Sequence, residues 1–190
     1  MAISSVELCS SALVKLGAQA ISSFQDGTAE AEVASRLYTL VRDALLCAHP
    51  WSFATAQASL ARLTGDPVSD FAHAYALPQD LLKALSAGDA SRPRGLQFQI
   101  IRRQLHTNAD SVVLSYIFRP SEGDFPPYFS NALVSRLASE FCLPLTENSA
   151  RAERLARLAE EELKLARLVD SQQDSPPRLE HFSLIEARQA

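Results

Sequence analysis

The chain has 190 residues, 47% of them hydrophobic, and a formal charge of −4 with a pI near 5.6. That length supports one domain with a real core, with or without an arm. The acidic balance argues against bulk gripping of nucleic acid, which calls for a basic excess. No apolar run approaches the roughly 20 residues of a membrane span.

Along the chain, Ser4-Ser5-Val6-Glu7 fits a capping box, which opens a helix expected over 5–17. Cys9, Ala12, Leu13 and Leu16 fall on one face, and Gly17 is a natural stop. Residues 22–27 read as a loop. Thr28 caps a second helix over 28–49 whose apolar stripe is Ala34, Leu37, Tyr38, Val41, Leu45 and Ala48.

That helix runs into His49-Pro50-Trp51-Ser52-Phe53-Ala54. Pro50 disfavours the α conformation at His49 and forces a change of structure. Trp51, the sole tryptophan, and Phe53 then bring a large apolar area to the junction. His49, Pro50, Trp51 and Phe53 are therefore the expected structural junction.

A β region follows over 57–119. Residues 58–63 alternate, Thr64-Gly65-Asp66-Pro67 is a turn signal, and 72–77 supplies a partner strand. Leu77-Pro78-Gln79-Asp80 reads as a short helical turn and 86–95 as loop. Leu96, Phe98 and Ile100, then Val112, Leu114, Tyr116 and Phe118, alternate around the polar Thr107–Asp110. The pattern predicts a hairpin turned at 107–110.

Pro126-Pro127 starts a third helix, over 127–143, with the stripe Phe129, Leu133, Leu137 and Phe141, ended by Pro144. A fourth, over 147–171, carries Leu155, Leu158, Ala159, Leu163, Ala166 and Val169 on its apolar side. Glu160, Glu161 and Glu162 lie in its charge run and read as a solvated face. The expected fold is α+β, mainly α: a four-helix bundle core with an antiparallel hairpin or small sheet. Residues 1–174 form that domain, and 175–190 form an extended C-terminal arm after Pro176-Pro177.

Chemistry is sparse. His49, His73, His106 and His181 show no metal-ligand spacing, and the six glycines form no phosphate loop. Asp66 and Asp70 sit in a polar turn without apolar surroundings to raise a pKa. Arg102-Arg103 is too small a basic pair to bind nucleic acid. Cys9, Cys47 and Cys142 are odd in number and far apart, which favours reduced, buried thiols in a cytoplasm over a disulfide framework. No signal peptide is apparent. Neither a catalytic residue nor a cofactor or metal site is expected.

In collinear order the sequence resembles the head-to-tail adaptor family of tailed phages, the tail tubular protein A group. The resemblance begins at Leu13-Val14-Lys15-Leu16-Gly17, an LxxLG-type helix end. It runs through Tyr38, Arg42-Asp43-Ala44-Leu45-Leu46 and the 49–54 junction, similar to the family's HPWNFA with Ser52 in place of the common asparagine. It continues through Tyr75–Leu81, Tyr116-Ile117, Leu137-Ala138, Leu143-Pro144-Leu145-Thr146, Ala166, Asp170, Gln172 and Ala187-Arg188. Each motif is short and mostly apolar; their order over most of the chain is the specific signal.

The resemblance implies a non-enzymatic virion protein, made in the host cytoplasm and built into the head–tail junction. Copies form a ring, twelvefold in the family, below the portal protein. The ring extends the channel through which genome DNA is ejected, without sequence-specific binding. It offers a platform to a downstream tail or nozzle protein. An acidic chain suits such a lumen, because phosphate binding needs cations.

Within the arm, Leu179, Phe182, Leu184, Ile185 and Arg188 are the expected docking residues for the portal or a neighbouring subunit. Burying those apolar side chains gains less than ordering the arm's backbone costs. The arm is therefore expected to order only on docking. The rival reading is a helical DNA-binding regulator, which needs a basic recognition helix; the fourth helix mixes its basic residues with carboxylates. A small enzyme, the third class, would need a pocket with convergent polar groups.

Overall fold

Three helices pack on a fourth. In the computed structural model, which describes residues 3–65, 67, 70–89 and 94–173, α3 (Pro127–Thr146) touches α1 (Ser5–Leu16), α2 (Ala29–Cys47) and α4 (Ser149–Ser171). Its stripe explains this: Phe129, Leu133, Leu137 and Phe141 are fully buried, and Ala132, Ser135, Ala138 and Ser139 between them are buried as well. Small side chains there let neighbouring helices approach closely. The described residues form an α+β fold of four helices and two small antiparallel sheets.

The expected caps hold. Ser4 and Glu7 complete the capping box, Gly17 closes α1 at φ 68°, and the Thr28 hydroxyl accepts the Ala31 amide. Asp26 fastens the loop before α2 by accepting the Ser22 and Ser23 amides at 2.7 and 3.1 Å.

α3 does not stop at Pro144 but runs through it to Thr146. Proline removes a single helical hydrogen bond, and here that loss falls in the last turn. The Thr146 hydroxyl donates to the Cys142 carbonyl, and Glu147 ends the helix at φ 51° with its amide on the Leu143 carbonyl. α4 starts at Ser149, capped by Asn148.

The β region departs further from expectation. The first sheet has the order β1 (Thr55–Ser59), β6 (Val113–Phe118), β3 (Leu81–Gly88); the second has β2 (His73–Ala76), β5 (Gln104–Thr107), β4 (Gln99–Ile101). The hairpin turned at 107–110 is overturned: β5 and β6, either side of those residues, belong to different sheets. The tight hairpin is β4–β5, with Ile101 opposite Gln104 and Arg102-Arg103 as its two-residue loop. Both arginines take positive φ, 47° and 60°, the conformation of a type I′ turn.

Residues 81–88 form a strand, so the expected loop begins only after Gly88; at 77–80 the chain does turn, with the Leu81 amide on the Pro78 carbonyl at 3.4 Å, but forms no helical segment. Asp80 lies in a turn whose carbonyl accepts the Arg119 amide, which seats β3 beside the end of β6. The expected pairing of 58–63 with 72–77 survives in part. β1 ends at Ser59, the chain crosses sheets at buried Leu60, and residues 61–63 then bond to Ala74 and Ala76.

β6 joins two cores because its side chains alternate. Ile117 belongs to the helical core, which also contains Trp51, Leu133 and Phe141. Leu114 and Tyr116 face a second cluster with Leu60, Tyr75, Leu105 and Val112, between the sheets.

Candidate functional site at the α2–β1 junction

α2 ends at Cys47, and residues 52–54 make one 3-10 turn before β1. Trp51 is completely buried. Its indole N–H donates to the Leu45 carbonyl at 3.1 Å, supplying a donor to one of the carbonyls that a helix end leaves open. Its ring meets His49 edge-on at 4.9 Å and Phe129 edge-on at 5.1 Å. Phe53 packs on Phe129 and Phe125 at 4.9 and 6.0 Å. Such edge-to-face contacts stabilise beyond area burial alone. The junction expected from sequence is thus brought together: Trp51 and Phe53 clamp the start of α3 onto the end of α2, His49 is half-buried beside them, and Pro50 is exposed.

The polar partner of this clamp is Asp170, 3% exposed, on the last turn of α4. Its carboxylate accepts the Ser52 amide at 3.0 Å, the Ser52 hydroxyl at 2.7 Å and the Tyr128 hydroxyl at 2.8 Å. His49 Nε2 stands 3.6 Å away. Burial, with Arg167 nearby, holds the His49 imidazole below its ordinary pKa against the pull of Asp170. Burial and the bond to Asp170 push the Tyr128 hydroxyl up.

Sequence periodicity misplaced α4 by part of a turn. It put Leu158 and Val169 on the buried face, but they are 51% and 38% exposed, while Asp170 is inside. The available signal was spacing: Ala159, Leu163, Ala166 and Asp170 fall at intervals of four, three and four.

This constellation does not form a nucleophilic relay. In a hydrolytic triad the imidazole lies between hydroxyl and carboxylate; here the carboxylate lies between Ser52 and His49. The Ser52 hydroxyl is spent as a donor to Asp170. The arrangement is a lock joining α4, the junction and the first turn of α3.

A second network fixes the other end of the β region to α2. The Arg42 guanidinium, largely buried, reaches Glu122 at 2.8 Å and Asp43 at 3.0 Å, and Tyr38 donates to Glu122 at 3.0 Å. Arg119 pairs with Asp43 at 2.7 Å. Burial raises the Glu122 carboxyl, but hydrogen bonds from its own backbone, Tyr38 and Arg42 outweigh it and hold the pKa below the ordinary value.

Apolar surface is left open on both α2 and α4. A groove of about 500 Å³ runs between α2 and α4, lined by Leu37, Leu40, Val41, Ala44, Leu163 and Arg167. Leu37 and Val41, expected in the core, are only half-buried because they line it. On α4, Leu158, Leu165 and Leu168 are 51–62% exposed. No helix among the described residues is long and apolar enough to cross a membrane. None of their His, Cys, Asp and Glu side chains form a metal-binding group of three. The expected docking residues Leu179, Phe182, Leu184, Ile185 and Arg188 lie outside the described residues. No model of a known protein family matches this chain, and no curated protein matches it in sequence.

Proposed function

We propose that this chain is a structural head-to-tail adaptor of a tailed phage, acting without cofactor or turnover. Its four helices serve as one bundle-like body. About twelve copies assemble in a ring below the portal, extend the DNA channel and present a platform to a downstream tail or nozzle protein. Its place is the head–tail junction of the virion, with residues 175–190 as the docking arm.

The observation that carries this reading is the pair of unlike apolar surfaces on one subunit. A head-to-tail ring needs two different, complementary patches, because each copy meets its neighbours with opposite sides. The α2–α4 groove has Leu40 68% exposed at its lip; Leu158, Leu165 and Leu168 are exposed elsewhere on α4, and Leu165 lines a separate hollow with Lys15 and Tyr128. The sequence resemblance supports the same role independently.

The test is negative-stain imaging of the purified protein with and without the portal of its own particle. Rings seated on portals are expected. A monomer that ignores the portal and is retained on DNA in a steeply salt-dependent way would favour the helical regulator instead.

A further inference from the structure

We propose that the hollow over the first sheet, beside the α2–β1 junction, binds a single carboxylate group. Such a site stands whether or not copies of the chain assemble in a ring.

The hollow is about 560 Å³, walled by Gln57, Ser86, Ser115 and Arg94, with Pro50 and Ser52 on the junction side. Small-molecule sites run to roughly 300–1,000 Å³. Its floor is a polar row of the sheet. Gln57 and Ser86 both lie opposite Ser115 in register, so the three side chains share one face. Two residues along β6, Ile117 carries the same face into the helical core. The Ser115 row lies beyond that cover.

Two details point to a ligand. Ser115 interrupts a central strand that is otherwise apolar and aromatic, Val113–Phe118. It is 9% exposed, and its hydroxyl has no hydrogen-bond partner among the described residues. Burying a polar group without a partner is costly; here the side chain faces the hollow. The second detail is a bulge in β3, whose register shifts between Ala84 and Ser86. Ala84 lies opposite Tyr116, so a regular ladder would set Leu85 against Ser115. The extra residue sets the Ser86 hydroxyl there instead, as bulges re-aim side chains.

The donors specify the charge. Ser86, Ser115 and the Gln57 carboxamide offer neutral donors. Arg94 adds a guanidinium fork, and the Leu96 amide on the Ala87 carbonyl at 3.0 Å ties its segment to β3. No carboxylate lines the hollow among the described residues. Asp170 stands behind Ser52, with its charge already met by the Ser52 and Tyr128 donors. One cation among neutral donors balances one negative charge. The fit is therefore a carboxylate rather than a phosphate dianion.

The test follows phenylglyoxal modification of Arg94 in the full-length chain by peptide mass spectrometry, with exposed Arg36 as reference. Butyrate should slow the reaction at Arg94 saturably, by about tenfold, and leave Arg36 unchanged. Neutral butyramide should protect nothing. Ser115→Val puts an apolar side chain on the floor and should raise the half-protecting butyrate concentration about tenfold at an undiminished thermal midpoint. Ser86→Ala, at a half-buried position, should raise it about threefold and decides the matter where the valine variant does not fold. A free acid and a glutamate side chain of a partner protein bring the same group. Protection by the capped tripeptide Ala-Glu-Ala at about a tenth of the butyrate concentration upholds the site with a protein source, and equal concentrations uphold it with a free acid. Inorganic phosphate protecting at lower concentration than butyrate would overturn the carboxylate assignment. Absence of protection by butyrate, equal protection by butyramide, or folded variants behaving like the parent would overturn the site.

Discussion

Ser52 gives both its backbone N–H and its hydroxyl to the carboxylate of Asp170, across 118 residues of sequence. The same carboxylate takes the Tyr128 hydroxyl, so one buried anion ties α4 and α3 to the β1 approach. Hydrogen bonds to a charged group contribute more than neutral ones, and stranding their donors in the interior adds a penalty. Asp170→Ala is expected to lower the unfolding free energy by about 2–4 kcal/mol, and Ser52→Ala by about 1–2 kcal/mol. Urea unfolding followed by the fluorescence of Trp51 measures both. A loss below about 1 kcal/mol for Asp170→Ala would mean that aromatic packing alone holds the junction.

The β4–β5 hairpin turns on two arginines with positive φ. Side chains other than glycine and asparagine are strained there, by about 1 kcal/mol each. The double replacement Arg102→Asn, Arg103→Gly is expected to stabilise the chain by about 0.5–2 kcal/mol. It should raise the thermal midpoint without altering the far-UV spectrum. An unchanged or lower midpoint would mean that the arginine contacts, such as Arg103 to the Pro78 carbonyl at 3.5 Å, outweigh the strain.

That turn also shows why helices were legible in the sequence and sheets were not. Helix caps and stripes are local: Ser4 with Glu7, Thr28, and the Phe129–Phe141 series each declare themselves within two or three turns. Strand pairing is not local. Asn108 and Asp110 carry turn chemistry but sit in a link between sheets, where the Asn108 side chain accepts the Ala72 amide. Arg102-Arg103 carries none and makes the hairpin. At the site, Trp51 and Phe53 stood out by size. Asp170 did not, because a carboxylate after a charge run reads as solvated until its four-three-four spacing is followed inward. The groove was invisible for a related reason: Leu37 and Val41 fit the apolar stripe, but Ala44 and Ala48 are too small to close it.

Two titrations should shape acid stability. The His49 imidazole lies below its ordinary value of 6.5 in the folded chain. The unfolded chain therefore takes up that proton first as pH falls. The His49 contribution is complete above about pH 6.5 and is lost below it, down to the lower folded value. Glu122 lies below its ordinary 4.5, so its contribution is complete above that pH and is lost as pH falls through the folded value. Urea midpoints taken across pH should fall in two stages. His49→Gln should remove the upper stage and Glu122→Gln should flatten the lower. An upper stage unchanged in His49→Gln would assign it to another histidine.

Thiol reactivity reports on the helical core directly. Burial pushes the Cys9 thiol up to about 12, and Cys142, on α3 itself, is 0% exposed. Cys47 is half-buried; burial raises its thiol as well, against the opposing charge of Lys83. Attack on a disulfide reagent needs both the thiolate and access. In the native chain at pH 8, Cys47 is expected to label slowly. Cys9 and Cys142 should label only as fast as the core opens. In denaturing urea all three should react together. Peptide mass spectrometry after timed quenching distinguishes them, and Asp170→Ala should speed labelling of Cys142 in proportion to its lost stability if α4 leaves α3 in the opening event. Rapid labelling of Cys9 in the folded chain would contradict the packing of α1 against α2 and α3.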